Sequence, residues 1–114
     1  MSKQYDLEER TLKFAKRAME YANKLPKTIS NIELGRQLAR SSGSVGANYI
    51  EANEALSKKD FVMRIKICRK ESKESRYWLK LSSPHDVQIT EKEPLAKEAT
   101  ELMNIFGAIL KKTR

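Results

Sequence analysis

Four stretches of this sequence place their core-type residues at steps of three and four, and the first and third are closed by Pro26 and by Ser82-Ser83-Pro84. Such steps keep side chains on one face of an α-helix, so each stretch has a face to bury and the other stretches to bury it against. The first carries Leu7, Thr11, Phe14, Ala18, Tyr21 and Leu25 before Pro26; the second carries Leu34, Leu38, Ser41, Val45, Asn48, Ala52 and Ala55. The third carries Phe61, Ile65, Cys68, Ser72, Ser75 and Leu79 before Ser82-Ser83-Pro84, and the fourth Leu95, Ala99, Leu102, Phe106 and Ile109. Each begins at a residue able to cap free N–H groups, with a carboxylate three positions on: Asp6 with Glu9, Ser30 with Glu33, Ser57 with Asp60 and Thr90 with Glu93. Pro94 is expected in the first turn of the last helix, where its missing N–H costs little. No stretch shows strand alternation. The spacing predicts helices over about 6–25, 31–56, 58–82 and 91–111 in one domain spanning residues 1–114. Short connections favour antiparallel neighbours, hence an all-α, up-down-up-down four-helix bundle.

The second and third stretches put Ser41, Asn48, Ser72 and Ser75 on core-facing positions, within and opposite the run Arg40-Ser-Ser-Gly-Ser-Val-Gly-Ala-Asn48. Serine, glycine and asparagine are poor interior helix residues, so something must compensate. Close packing of the two helices is the direct reading, with buried hydroxyls bonded to each other or to backbone carbonyls. Antiparallel pairing from the turn near residue 57 sets Arg40 level with Glu74, with Glu71 and Glu51 near the same seam. An ion pair there fixes register more than it adds stability. A hydroxyl nucleophile would need a base, and the single histidine, His85, falls in a loop after the third helix. The expectation is therefore a chain without enzyme activity.

Other classes of chemistry lack their residues. One cysteine permits no internal disulfide and suits a reducing compartment; Cys68 lies on the core stripe as a small buried hydrophobe. One histidine and no Glu-x-x-His pair leave no zinc or di-metal carboxylate site, and no cofactor is implied. No run is long and apolar enough for a membrane span, and the N-terminus lacks the apolar core of a signal peptide, so a cytoplasmic protein is expected.

The net charge is +8, and residues 58–81 hold most of it, with nine basic against three acidic residues. At about 100° per residue, Lys66, Arg69, Lys70, Lys73, Arg76 and Lys80 fall within an arc of roughly 120°. Such a row can neutralise phosphates without reading bases, which makes binding sequence-tolerant and salt-sensitive. The same row can also be a solvated face that aids solubility. Aromatic platforms are absent from it apart from Tyr77, and the apolar sides are needed for the core, which argues against a membrane surface. A second apolar group, Met63, Ile67, Trp78 and Leu81, lies on a third side of this helix. It can serve contact with another subunit or cover the ends of helix four.

Two blocks then resemble a known family. Arg40-Ser-Ser-Gly-Ser-Val-Gly-Ala-Asn-Tyr-Ile-Glu51-Ala-Asn53, with Lys58-Lys-Asp-Phe61 and Lys70-Glu-Ser-Lys-Glu-Ser-Arg-Tyr-Trp-Leu79, resembles the bacterial four-helix-bundle proteins encoded in intervening sequences of 23S rRNA genes. Tyr5-Asp6-Leu7 also fits. The first block departs from the family at Glu51-Ala52, where Glu-Gly is usual, and the second at Ile67-Cys-Arg-Lys70, where alanines are usual. The resemblance implies a ring-shaped homopentamer without enzyme activity. One branch is similar to accessory proteins of diversity-generating retroelements, basic pentamers that bind a reverse transcriptase and nucleic acid. Two functional readings follow. In the first, the basic face binds an RNA or DNA backbone, or a nucleic-acid-handling partner. In the second, the bundle is a protein-interaction scaffold and the charge serves solubility.

Overall fold

Ser57 accepts a hydrogen bond from the Asp60 N–H at 3.1 Å, and the third helix starts one residue later. The computed structural model describes residues 3–113, with side chains from residue 6 onward; residues 1, 2 and 114 lie outside the described residues. Those residues form α1 (Lys3–Asn23), α2 (Ile29–Asn53), α3 (Lys58–Leu81) and α4 (Ile89–Lys112), with a 3₁₀ turn, Asp86–Gln88, before α4. No strand occurs among the described residues. Leu7, Thr11, Phe14, Ala18 and Tyr21 of α1 are buried, as is Leu25, which lies beyond the helix because α1 stops at Asn23 rather than 25, and so are Leu95, Ala99, Leu102 and Phe106 of α4. Tyr49 joins them from α2, outside its expected stripe, with its ring centroid 5.9 Å from that of Phe106.

The helices pack in chain order around the core, each antiparallel to the next. Thr11, Met19 and Ala22 of α1 face Gly46, Gly43 and Gly35 of α2. Ser41 and Val45 of α2 meet Ser75 and Cys68 of α3, and Arg69 and Arg76 of α3 meet Gly107 and Thr100 of α4. The fourth seam, α1 against α4, is more open. A bidentate clamp from Arg10 to Glu98, at 2.7 and 2.8 Å, and a 3.2 Å bond to Glu101 bridge it. The carboxylates raise the Arg10 pKa further above its ordinary value, the Glu98 hydrogen bond most of all.

Several boundaries correct the sequence expectation. Asp6 does not cap α1, which is already helical from Lys3; it lies in the first turn, where a carboxylate still favours the positive end of the helix dipole. Thr28, not Ser30, caps α2, its hydroxyl accepting from the Asn31 N–H at 3.1 Å. At its other end α2 stops at Asn53 rather than 56, and α3 stops one residue short of 82. Thr90 caps nothing: the 3₁₀ turn runs directly into α4, which places Pro94 in the second turn. Proline there removes the N–H that would have bonded the Thr90 carbonyl.

One end of the bundle is fastened by side chains that the periodicity did not single out. Asn31 is buried. Its Nδ2 donates to the carbonyls of Pro26 and Ser83, and its Oδ1 accepts from the Ser83 N–H. The α1–α2 link is thereby tied to the α3–α4 link. Beside it Tyr21 and Ser82 share a 2.6 Å hydroxyl bond, and Gln88 donates to the Tyr21 carbonyl at 3.1 Å. Burial, opposed by the Ser82 bond, pushes the Tyr21 phenol above its usual pKa.

Candidate nucleic-acid interface

The charge on α3 is sorted between its two flanks. On the α2 flank, Arg40 gathers Glu71 and Glu74: Nη1 donates to Glu71 Oε2 at 2.9 Å, Nη2 donates to Glu74, and Nε donates to Gln37 at 3.2 Å. The Glu71 side chain is only 5% exposed, and its second oxygen, Oε1, is buried without a protein partner. Asp60 is the only other acidic residue of the helix, and it sits in the first turn. The two central carboxylates are therefore held away from α4.

On the α4 flank the cations line an open groove. Val62, Lys66, Arg69, Lys70, Lys73 and Arg76 form the α3 wall, and Met103, Gly107, Ala108, Leu110, Lys111 and Thr113 the α4 wall. No carboxylate is among these residues. Gly107 lies beneath the Arg69 guanidinium, where a Cβ would make an ordinary contact, 3.8 Å from Arg69 Nε. Arg76 is half-buried and donates to Thr100 Oγ1 at 3.3 Å, so it braces the groove as well as charging it. From Lys66 to Arg76 the row is about 15 Å long, given a rise of about 1.5 Å per residue.

Two expectations change here. Lys80 is exposed but lies outside the groove, one turn beyond Arg76. Lys111 enters it from α4, because the antiparallel partner brings its C-terminal turn alongside Lys66. The signal was the basic last turn of α4, Lys111-Lys112, which has meaning only once the helix is paired with α3.

The polar seam residues separate in the same way. Ser41 and Ser75 hydroxyls meet at 2.8 Å; Ser75 and Ser72 also bond the carbonyls of Glu71 and Cys68, each at 2.8 Å. Asn48 is half-buried, takes Arg64 Nη1 on Oδ1 at 2.9 Å, and donates to Ser44. Glu51 is exposed and outside this chain of bonds. The run of small residues does not serve the α2–α3 contact alone, since its glycines, Gly43 and Gly46, face α1. Trp78 packs against the core and donates to Glu74 Oε1 at 3.2 Å, which puts it and half-buried Ile67 on the α2 flank rather than over α4. Burial pushes the Cys68 thiol up to about 12, which leaves it a core hydrophobe rather than a nucleophile.

No group of three or more His, Cys, Asp and Glu gathers among the described residues, and no described helix is long and apolar enough to cross a membrane. The family model described as 23S rRNA-intervening sequence protein matches residues 3–108. A crystal structure of a protein of unknown function from the S23 ribosomal protein family of Bacteroides thetaiotaomicron superposes with a TM-score of 0.79 at 27% identity. The match covers 96% of this chain and 99% of that one. A comparison with curated proteins gives no match.

Proposed function

The chain belongs to the 23S rRNA-intervening sequence protein family, and on that premise we propose that it is a non-enzymatic, cytoplasmic, oligomeric bundle whose α3–α4 groove holds a nucleic-acid backbone. A ring-shaped homopentamer is the assembly this reading expects. A nucleic-acid-handling protein such as a reverse transcriptase is the partner expected to work with it. The observation that carries the reading is the groove itself, with five cationic side chains of α3 and Lys111 of α4 along its walls and no carboxylate among them. Cations in a row bind phosphates by charge and counterion release, with little dependence on sequence. Lys66, Arg69, Lys70, Lys73 and Lys111 are the contacts, with Arg76 bracing the wall. Lys80 lies apart from them.

Binding to RNA and to duplex DNA, measured over a salt series, tests this. Four to five phosphates neutralised per groove give a slope of about −4 in log affinity against log salt on duplex DNA. Replacing Lys70 and Lys73 with alanine reduces the slope by about 2 and weakens all sequences alike, whereas Lys80→Ala has little effect. Absence of binding at low salt overturns the reading and leaves the scaffold function, in which the charge serves solubility.

A further inference from the structure

Beside the groove, α3 shows one aromatic ring to solvent. Among the described phenylalanine, tyrosine and tryptophan side chains Tyr77 alone is exposed, at 58%; the others are buried or half-buried. It stands one turn beyond Lys73 and one turn before Lys80, both exposed. At about 100° per residue it leaves α3 in the same direction as Lys66 and Lys70, on the crest of the helix rather than in the groove wall. From Lys66 to Tyr77 is about 16 Å along the axis, so the ring lies at the end of the row of cations. The ring is also braced. Its centroid is 5.1 Å from that of Trp78, with the two rings at 68°. Trp78 packs against the core and donates to Glu74 Oε1 at 3.2 Å, and Arg40 holds Glu74 in turn. A side chain placed in this way has less freedom to lose when a ligand meets it.

A row of cations with an exposed, braced ring at its end suits a strand whose bases are unpaired. The cations take the backbone, and the ring takes the face of a base, whichever base it is. In a duplex the base faces are stacked on one another, so the duplex meets the cations alone. The phosphates lie on the α4 side of the crest, and a base carried by that backbone reaches outward over the crest, where Tyr77 stands. We propose that Tyr77 is a stacking platform for one unpaired base of a single strand whose phosphates follow Lys66, Lys70 and Lys73. This platform presupposes the nucleic-acid reading of the groove, and it narrows the ligand from any phosphate backbone to a strand with unpaired bases.

The test compares three ligands of about 20 nucleotides: a single strand of DNA, its duplex, and an abasic strand with the same phosphates and no bases. The full chain is used as wild type, Tyr77→Ala, Tyr77→Phe and Lys70→Ala/Lys73→Ala, each shown to be folded by circular dichroism. Tyr77→Ala is expected to lose roughly five- to hundred-fold in affinity for the single strand, the worth of one stacked base, and nothing for the duplex or the abasic strand. Tyr77→Phe binds as wild type does, because the ring and not the hydroxyl makes the contact. The salt dependence of Tyr77→Ala is that of wild type, since no phosphate contact is lost. Three results each overturn the platform: an abasic strand that wild type binds as tightly as the single strand, an equal loss of all three ligands in Tyr77→Ala, or a Tyr77→Phe as weak as Tyr77→Ala. If wild type binds all three alike and only Lys70→Ala/Lys73→Ala weakens them, the groove stands without the platform. If wild type binds none of them even at low salt, the groove reading itself fails, and the platform with it.

Discussion

The two flanks of α2 are built from one run, Arg40 to Asn48, yet they hold their neighbours by opposite means. Toward α1, side chains are removed: Gly46 lies so near Thr11 that a Cβ would come within 2.9 Å of its hydroxyl oxygen, and Gly43 lies beneath Met19. Toward α3, polar side chains are kept and satisfied: Ser41 bonds Ser75, Asn48 takes Arg64, and Arg40 reaches Glu71 and Glu74. The first flank gains from close approach, with dispersion and apolar contact over the whole helix length. The second gains little net energy from each bond, yet any bond left half-made is costly. Small polar residues in a helix thus signal either geometry or chemistry, and their partner decides which.

Breaking the α3 flank at its charge has the largest expected effect. Arg40→Ala leaves Glu71 buried with neither oxygen partnered, and it costs about 2–3 kcal/mol in urea denaturation. That is less than the roughly 3–5 of a wholly buried pair, because half of the Arg40 side chain is exposed. Replacing both partners by methionine costs less than the single change, since no charge is stranded. On the α1 flank, Gly46→Ala forces buried Thr11 to move; overpacking of about 1–3 kcal/mol exceeds the gain of up to about 1 from helix propensity. The net loss is about 1–2 kcal/mol, read as a lower melting temperature. Ser75→Ala removes the bonds to Ser41 and to the Glu71 carbonyl, for about 1 kcal/mol. Gly35→Ala carries the opposite sign. Its Cβ would rest 3.7 Å from Ala22 Cβ, an ordinary contact, so a gain of about 0.5–1 kcal/mol is expected from propensity. If Gly35→Ala destabilises as Gly46→Ala does, the steric account of the α1 flank is wrong.

The stripes were legible because burial on one helix face has a period that sequence preserves. Phe14, Leu38, Ile65 and Phe106 could each be placed inward without knowing the neighbours. The Ser57 cap was legible for a similar reason, since it is local to one turn. Thr28 was missed in favour of Ser30 because both can cap, and the choice rests on Asn31, whose side chain is committed to Pro26 and Ser83 fifty-two residues away. The start of α4 was missed because the 3₁₀ turn is set by Gln88 reaching the Tyr21 carbonyl, again a distant contact. Five of the six α3 cations expected on one arc line the groove as a set, because a helical wheel orders them. Lys111 stayed hidden until the antiparallel register brought it opposite Lys66. Whatever depended on one helix could be read from the chain, and whatever depended on pairing could not.

The Asn31 stitch also makes the two ends of the bundle unequal as pieces of chain. One end carries two links joined through a single side chain. The other carries the link at residues 54–57, where Glu54, Leu56 and Ser57 are exposed, together with the described ends of the chain at Lys3 and Thr113. Four antiparallel helices put those two ends on the same side. Residues 3 and 113 can therefore be bridged by a short linker and a new opening cut between Glu54 and Ser57, which leaves each of the four helices whole. The same cut at Ser83 would separate the residues that Asn31 holds. The order of the helices along the chain is open to change at one pole of the molecule and fixed at the other.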